Sequence, residues 1–176
     1  MVCPGVTSVE DRLTGTGGTY NYSLPGELEP DLGRIQAYWN GLKRGANDVP
    51  FWDDVKLSLR SRLGRESMLI DVFENPLRFR FDLMGADVAD WYGGTVGNSF
   101  LEAIDLHAPF DELMSQCRAT VEGCAPTYYR QTAAGKAGAG HRSGYARLLL
   151  PLWGNGRIEM LLGAVVLDQA AKKAAR

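Results

Sequence analysis

The sequence predicts an α+β fold, a layer of about five antiparallel strands with helices gathered against it. Three observations predict it. Period-two alternation runs from residue 67 to residue 83, two long strand-like runs flank Asn155-Gly156, and helical periodicity is confined to segments outside those strands.

Residues 1–29 hold Gly15, Gly17, Gly18, Pro4 and Pro25 without sustained apolar periodicity, which predicts a flexible N-terminal arm. From Pro30, Leu32, Ile35, Trp39 and Leu42 recur at spacings of three, four and three, so a helix with one apolar seam is expected over 31–43. Gly45 and Asn47 supply its stop. Val49 to Leu63 fits neither period and predicts short helical turns.

Met68, Ile70 and Val72 then share one side of a strand, Asn75-Pro76 marks a turn, and Phe79, Phe81 and Leu83 alternate with Arg78, Arg80 and Asp82. That is an antiparallel hairpin with its aromatic side inward. Gly93, Gly94 and Gly97 break the stretch from 85 to 106 into short turns. A second amphipathic helix is expected from Pro109 as a first-turn proline, through Phe110, Leu113, Met114, Cys117 and Val121, to Gly123. Pro126 to Gln131 reads as a strand, and 132–144 as a loose glycine-rich loop.

Tyr145–Trp153 and Arg157–Leu167 read as two central strands, since Asn-Gly is the strongest short hairpin signal. Ile158, Met160, Leu162, Ala164 and Val166 form one side of the last strand, while Leu161, Val165 and Leu167 make the other side apolar too. Something must cover that second face. The seam of the first helix, from this chain or from a twin, is the expected cover, which leads to a homodimer. The face expected to meet a twin or a partner is Leu32, Ile35, Tyr38, Trp39 and Leu42 with Leu161 and Val165. Residues 168–176 read as a short charged tail.

Composition narrows the function. Apolar residues make up 45% and charged residues 23% of 176, the balance of a packed globular domain. Nineteen basic against 21 acidic side chains leave a net charge of -2, with no field to hold a nucleic acid. The longest apolar run, Leu148 to Trp153, is far below the roughly 20 residues that cross a bilayer, and no secretory leader is evident. A cytoplasmic location is expected. Three cysteines without a C-x-x-C pair indicate reduced thiols and no zinc site.

Three strings carry a resemblance: Arg34-Ile35-Gln36-Ala37-Tyr38-Trp39, Tyr92-Gly93-Gly94-Thr95-Val96-Gly97 and Leu148-Leu149-Leu150-Pro151-Leu152. Together they resemble a family of bacterial stand-alone PAS-domain proteins, with an R-I-x-x-Y-W helix before the domain and an L-L-L-P-L strand near its end. The resemblance covers residues 30–167. Where many members carry Gly-Arg-Asp-x-Thr-Gly, this chain has Gly93-Gly94-Thr95-Val96-Gly97, so nothing attributed to that Arg-Asp pair carries over. The resemblance implies a PAS-like five-stranded antiparallel sheet with helices and a hydrophobic pocket on one face and the N-terminal amphipathic helix on the other. It also implies a sensory or regulatory role.

Catalytic signals are weak. His107 sits at a helix entry and His141 in the glycine-rich loop, and neither lies in a nucleophile–base frame. No catalytic residue is assigned. No metal-ligand spacing occurs, and Gly135 to Gly140 lacks the Lys-Ser/Thr order of a phosphate loop. The flavin-type Asn-Cys-Arg-Phe string is absent, and His107 is the one candidate haem ligand. A ligand pocket, if formed, is expected from Phe79, Phe81, Phe110, Met114, Cys117, Leu148, Leu150 and Met160. The resident cofactor is unknown. The preferred expectation is a non-catalytic sensory or adaptor protein acting in trans on a signalling protein. The alternatives are a haem- or metabolite-binding sensor module and a small pocket enzyme of isomerase or cyclase type, the latter needing Asp82, Asp87 or His107 buried beside the aromatics.

Overall fold

The computed structural model describes residues 21–55, 64–132 and 144–168. The loop with His141 and the Gly135–Gly140 stretch, the tail beyond 168 and the first 20 residues lie outside them. Among the described residues the elements run α1 (Pro30–Gly41), β1 (Ser67–Phe73), β2 (Arg78–Met84), α2 (Ala86–Tyr92), a 3-10 turn (Leu101–Ala103), α3 (Leu113–Gly123), β3 (Thr127–Gln131), β4 (Tyr145–Gly154) and β5 (Arg157–Leu167). The five strands form one antiparallel sheet in the order β2-β1-β5-β4-β3. This α+β architecture is consistent with a PAS-like fold.

Local chemistry sets each element. Pro30 sits in the first turn of α1 with Asp31 beside it, where a missing N–H costs nothing and a negative charge meets the helix dipole. Asn155 (φ 45°) and Gly156 (φ 84°) both adopt the left-handed region that the tight β4–β5 turn requires. Both sheet edges are occupied. Beside β2, Phe81 N–H donates to Ser99 O (3.0 Å) and Asn98 N–H to Phe81 O (2.7 Å). Beside β3, Tyr128 N–H donates to Tyr22 O (2.9 Å), so the described part of the predicted arm runs along that strand.

Directly paired residues of an antiparallel ladder share a face. Met68, Ile70, Phe81, Leu161, Gly163, Val165, Leu149, Arg147 and Tyr129 therefore form the inner face, under α3. Leu69, Leu162, Ala164, Leu148, Leu150, Leu152 and Met160 form the outer face, under α1. Leu32, Ile35 and Trp39 of α1 are buried there, each contributing about 1.5–3 kcal/mol. The Trp39 indole N–H donates to Pro151 O at 2.8 Å. The second face of the sheet is thus covered by the chain's own helix.

Three local expectations are corrected. The helix predicted from Pro109 begins four residues later at Leu113, because Glu112 adopts a left-handed φ of 57° that interrupts any helix before it. Phe110 consequently lies in the lead-in segment. A register shift between Leu69 and Ile70 leaves Asp82 unmatched, so Leu83 faces Leu69 and is partly exposed instead of joining Phe79 and Phe81. A second shift leaves Glu159 unmatched and moves Ile158 off the side of Met160. No helix among the described residues is long and apolar enough to cross a membrane.

Candidate functional site

The inner face carries a buried charge and a set of polar side chains around it. Arg147, on β4, is fully buried, and its position pairs with Tyr129 of β3 and Val165 of β5. Its Nε–H donates to Gln116 Oε1 (2.7 Å), one Nη1–H to Pro109 O (2.7 Å) and one Nη2–H to Asp111 O (2.9 Å). The guanidinium also lies 5.0 Å from the centroid of the Tyr129 ring. Burial pushes its pKa below the usual guanidinium value, which the neighbouring Tyr145, Cys117, Tyr129 and Tyr22 oppose in part.

Gln116 and Thr120 are both buried on α3, one turn apart. The Gln116 amide donates to Thr127 O and Thr127 Oγ1 (both 3.2 Å), and Thr120 Oγ1 lies 2.6 Å from Thr127 Oγ1. Tyr145 O–H donates to the Asp111 carboxylate at 3.1 Å, which takes that carboxylate's Oδ2 toward tyrosine while the Asp111 main chain meets Arg147. The result is a polar network tying the 109–111 segment, α3, β3 and β4 into one unit.

The eight residues expected to line one pocket are divided by the sheet. Phe79, Phe81 and Cys117 lie on the inner side with Phe110, whose ring is 5.0 Å from that of Phe81, and Met114 belongs to the covering α3. Leu148, Leu150 and Met160 point to the opposite face, under α1. The expected partner face is divided in the same way: Leu32, Ile35 and Trp39 are buried under the outer face, Tyr38 and Leu42 pack at its margin, and Leu161 and Val165 lie inside. Physically, β4 and β5 are buried on both faces, so hydropathy carries no sign to say which alternate set goes where.

His107 stacks on Tyr92 (4.5 Å, 19°), which in turn meets Phe110 at 5.1 Å. Its Nδ1 lies 3.1 Å from Asp105 O and its Nε2 3.2 Å from Tyr92 O. The imidazole thus bridges the Tyr92 and Asp105 main-chain carbonyls. Asp87 pairs with Arg65 at the surface (2.6 Å), and Asp82 is the unmatched residue of the β2 bulge. Neither joins the inner aromatics. Burial pushes the Cys117 thiol up to about 12, so it stays protonated and unreactive. Among the described residues no group of three or more His, Cys, Asp or Glu could hold a metal ion.

Sequence reasoning missed Arg147, Gln116 and Thr120. The available signal was a lone charge in the run Tyr145 to Trp153, together with two polar side chains at i, i+4 inside the α3 seam.

On the outer side, β3 holds the entry to α1. Tyr128 O–H and Arg130 Nη1–H both donate to Glu29 Oε1 (2.9 and 2.6 Å), and Arg130 Nη2–H reaches Asp168 just after β5 (2.9 Å). Three consecutive residues of one strand therefore contact the Arg147 cluster through Tyr129 and the root of α1 through its two neighbours. Comparison with family models, with curated proteins and with solved structures finds no match to this chain.

Proposed function

We propose that this chain is a non-catalytic sensory module of PAS type, in which occupancy of the inner face is relayed to α1 and read by a partner signalling protein. The observation that carries the proposal is the alternation along β3: Tyr129 sits over Arg147 inside, while Tyr128 and Arg130 grip Glu29 outside. A strand that shifts by a fraction of an ångström changes both contacts together, because packed elements respond as units. The inner face favours recognition over chemistry, since its thiol is held protonated and its cation is bound by carbonyl and amide oxygens. The resemblance of the three strings to those of PAS proteins and the α+β architecture support the same reading.

Hydrogen exchange on the full chain tests the relay. Tyr129→Leu removes the ring over Arg147 without touching α1. Faster exchange is expected in α1 (Pro30–Gly41) as well as in α3, by about tenfold in the least protected amides of α1. Unchanged α1 exchange with altered α3 exchange would reject the relay and the proposed function with it.

A further inference from the structure

Asn-Gly occurs twice in this chain, at Asn40-Gly41 and at Asn155-Gly156. We propose that the second pair is a site of spontaneous covalent modification, in which Asn155 converts to an aspartyl or isoaspartyl residue and the β4–β5 turn loses the bond that holds Glu159. The proposal stands apart from the sensory reading and rests on the turn alone.

The chemistry needs the main-chain nitrogen of the following residue to reach the side-chain carbonyl carbon. Gly156 N attacks Asn155 Cγ, the new N–C bond closes a cyclic imide, and the Cγ–Nδ2 bond breaks. The proton lost by Gly156 N leaves with Nδ2 as ammonia. Water then opens the ring. Breaking the bond just formed gives the aspartyl product, and breaking the original peptide bond gives the isoaspartyl one. Water is the co-reactant, and no oxidant or reductant is consumed.

Asn155 and Gly156 are both exposed, and a Cβ built on Gly156 meets nothing within 4 Å. The strand ladder closes at Gly154 and Arg157, so the Gly156 N–H lies outside it and makes no hydrogen bond among the described residues. Asn40-Gly41 is exposed too, but it lies in the last turn of α1. There the helical pattern commits the Gly41 N–H to the carbonyl four residues back. A nitrogen held in a helical ladder cannot close on its neighbour, whereas one in an open turn can.

The product changes the turn. The Asn155 amide donates to Glu159 Oε1 at 2.8 Å, and Glu159 Oε2 is sheltered without a hydrogen-bond partner among the described residues. That carboxylate lies over Gly154, where a Cβ would collide with it and with the Trp52 indole. Conversion of Asn155 replaces its donor with a second carboxylate, so a charge-assisted hydrogen bond becomes a like-charge contact. Trp153, beside the turn, donates its N–H to Pro50 O (2.8 Å), which carries the loosening to the segment that precedes Trp52.

Ageing the full chain in mildly alkaline buffer, with peptide mass spectrometry that separates aspartyl from isoaspartyl products, tests the site. Asn155 is expected to convert about tenfold faster than Asn40 or more, since the helical pair reacts only from an opened helix end. The denatured chain should convert both at similar rates. Equal rates in the folded protein, or an intact Asn155 where the denatured chain converts, overturns the site. Asn155→Asp is expected to lower Tm by about 2–4 °C. Adding Glu159→Gln, whose amide can donate again, should recover most of that loss. No loss, or a loss that Glu159→Gln leaves unchanged, overturns the assigned consequence. If Asn155→Asp does not fold, aged protein separated by its added negative charge, with and without Glu159→Gln, decides the same comparison.

Discussion

Gln116 and Arg147 hold each other from both ends. The arginine Nε–H donates to Gln116 Oε1 at 2.7 Å, and the Gln116 amide N–H reaches the Arg147 carbonyl at 3.4 Å. This reciprocal pair fixes which way the amide points, and joins the middle of α3 to the middle of β4.

Removing the amide therefore exposes a buried charged donor with no replacement. Gln116→Leu is expected to cost about 2–4 kcal/mol, since an unsatisfied charged group loses more than an ordinary hydrogen bond. Gln116→Glu keeps an acceptor and adds a counter-charge, so it should cost less than the leucine variant despite losing the donors to Thr127. Urea denaturation of the two variants side by side checks the order. Equal losses would show that the cluster acts through packing alone.

Alkaline pH should weaken the fold through two buried acids. Burial pushes Cys117 from its ordinary 9.0 up to about 12, and pushes Tyr145 up as well. A group whose folded pKa is raised keeps its proton when folded and loses it when unfolded. Its stabilising effect is complete below the unfolded value and falls away as pH rises toward the folded one. For Cys117 the window opens near pH 9, with a slope of about 1.4 kcal/mol per pH unit. Between pH 9 and 10 the unsubstituted protein should lose about 1 kcal/mol more than Cys117→Ala. Identical pH profiles in the two proteins would contradict the assignment.

The parts legible in the sequence are those where neighbouring residues differ. The α1 seam and the Phe79/Phe81 alternation against Arg78 and Arg80 stand out because each pairs apolar with polar positions. The Asn155-Gly156 turn was legible because few residues accept two successive left-handed conformations. The division of the site was not legible. Every residue from Tyr145 to Leu152 is buried, so Arg147 and Leu148 look equally interior until pairing with Val165 and Ala164 sets their faces. Bulges at Asp82 and Glu159 each reverse the alternation by one residue, and nothing in composition announces them.

Two glycines should respond to alanine with opposite signs. A Cβ at Gly85 would run into the main-chain carbonyl of Arg65 and come within 2.7 Å of Ser67 O, atoms that cannot swing aside. Gly85→Ala is expected to destabilise by about 1–3 kcal/mol. Gly33 lies inside α1 with nothing within 4 Å of the added carbon, so Gly33→Ala should stabilise by about 0.5–1 kcal/mol through helix propensity. Chemical denaturation midpoints give both values. A neutral Gly85→Ala would mean that the hairpin end and the start of α2 shift freely.

Trp39 separates two ways in which α1 is held. Its ring is 2% exposed against the outer face, and its indole N–H caps Pro151 O on a strand residue that has no N–H of its own. Trp39→Phe keeps most of the buried ring and deletes the donor, leaving a sheltered carbonyl without that partner, at an expected cost of about 1–2 kcal/mol. Trp39→Ala deletes the ring as well and should cost about 3–5 kcal/mol. If α1 is docked as one unit with the sheet, both variants unfold in a single transition with the losses in that order. An alanine variant that loses helix signal in a separate early transition would instead show that α1 is released while the sheet persists. That release would be the same movement by which the module is proposed to signal.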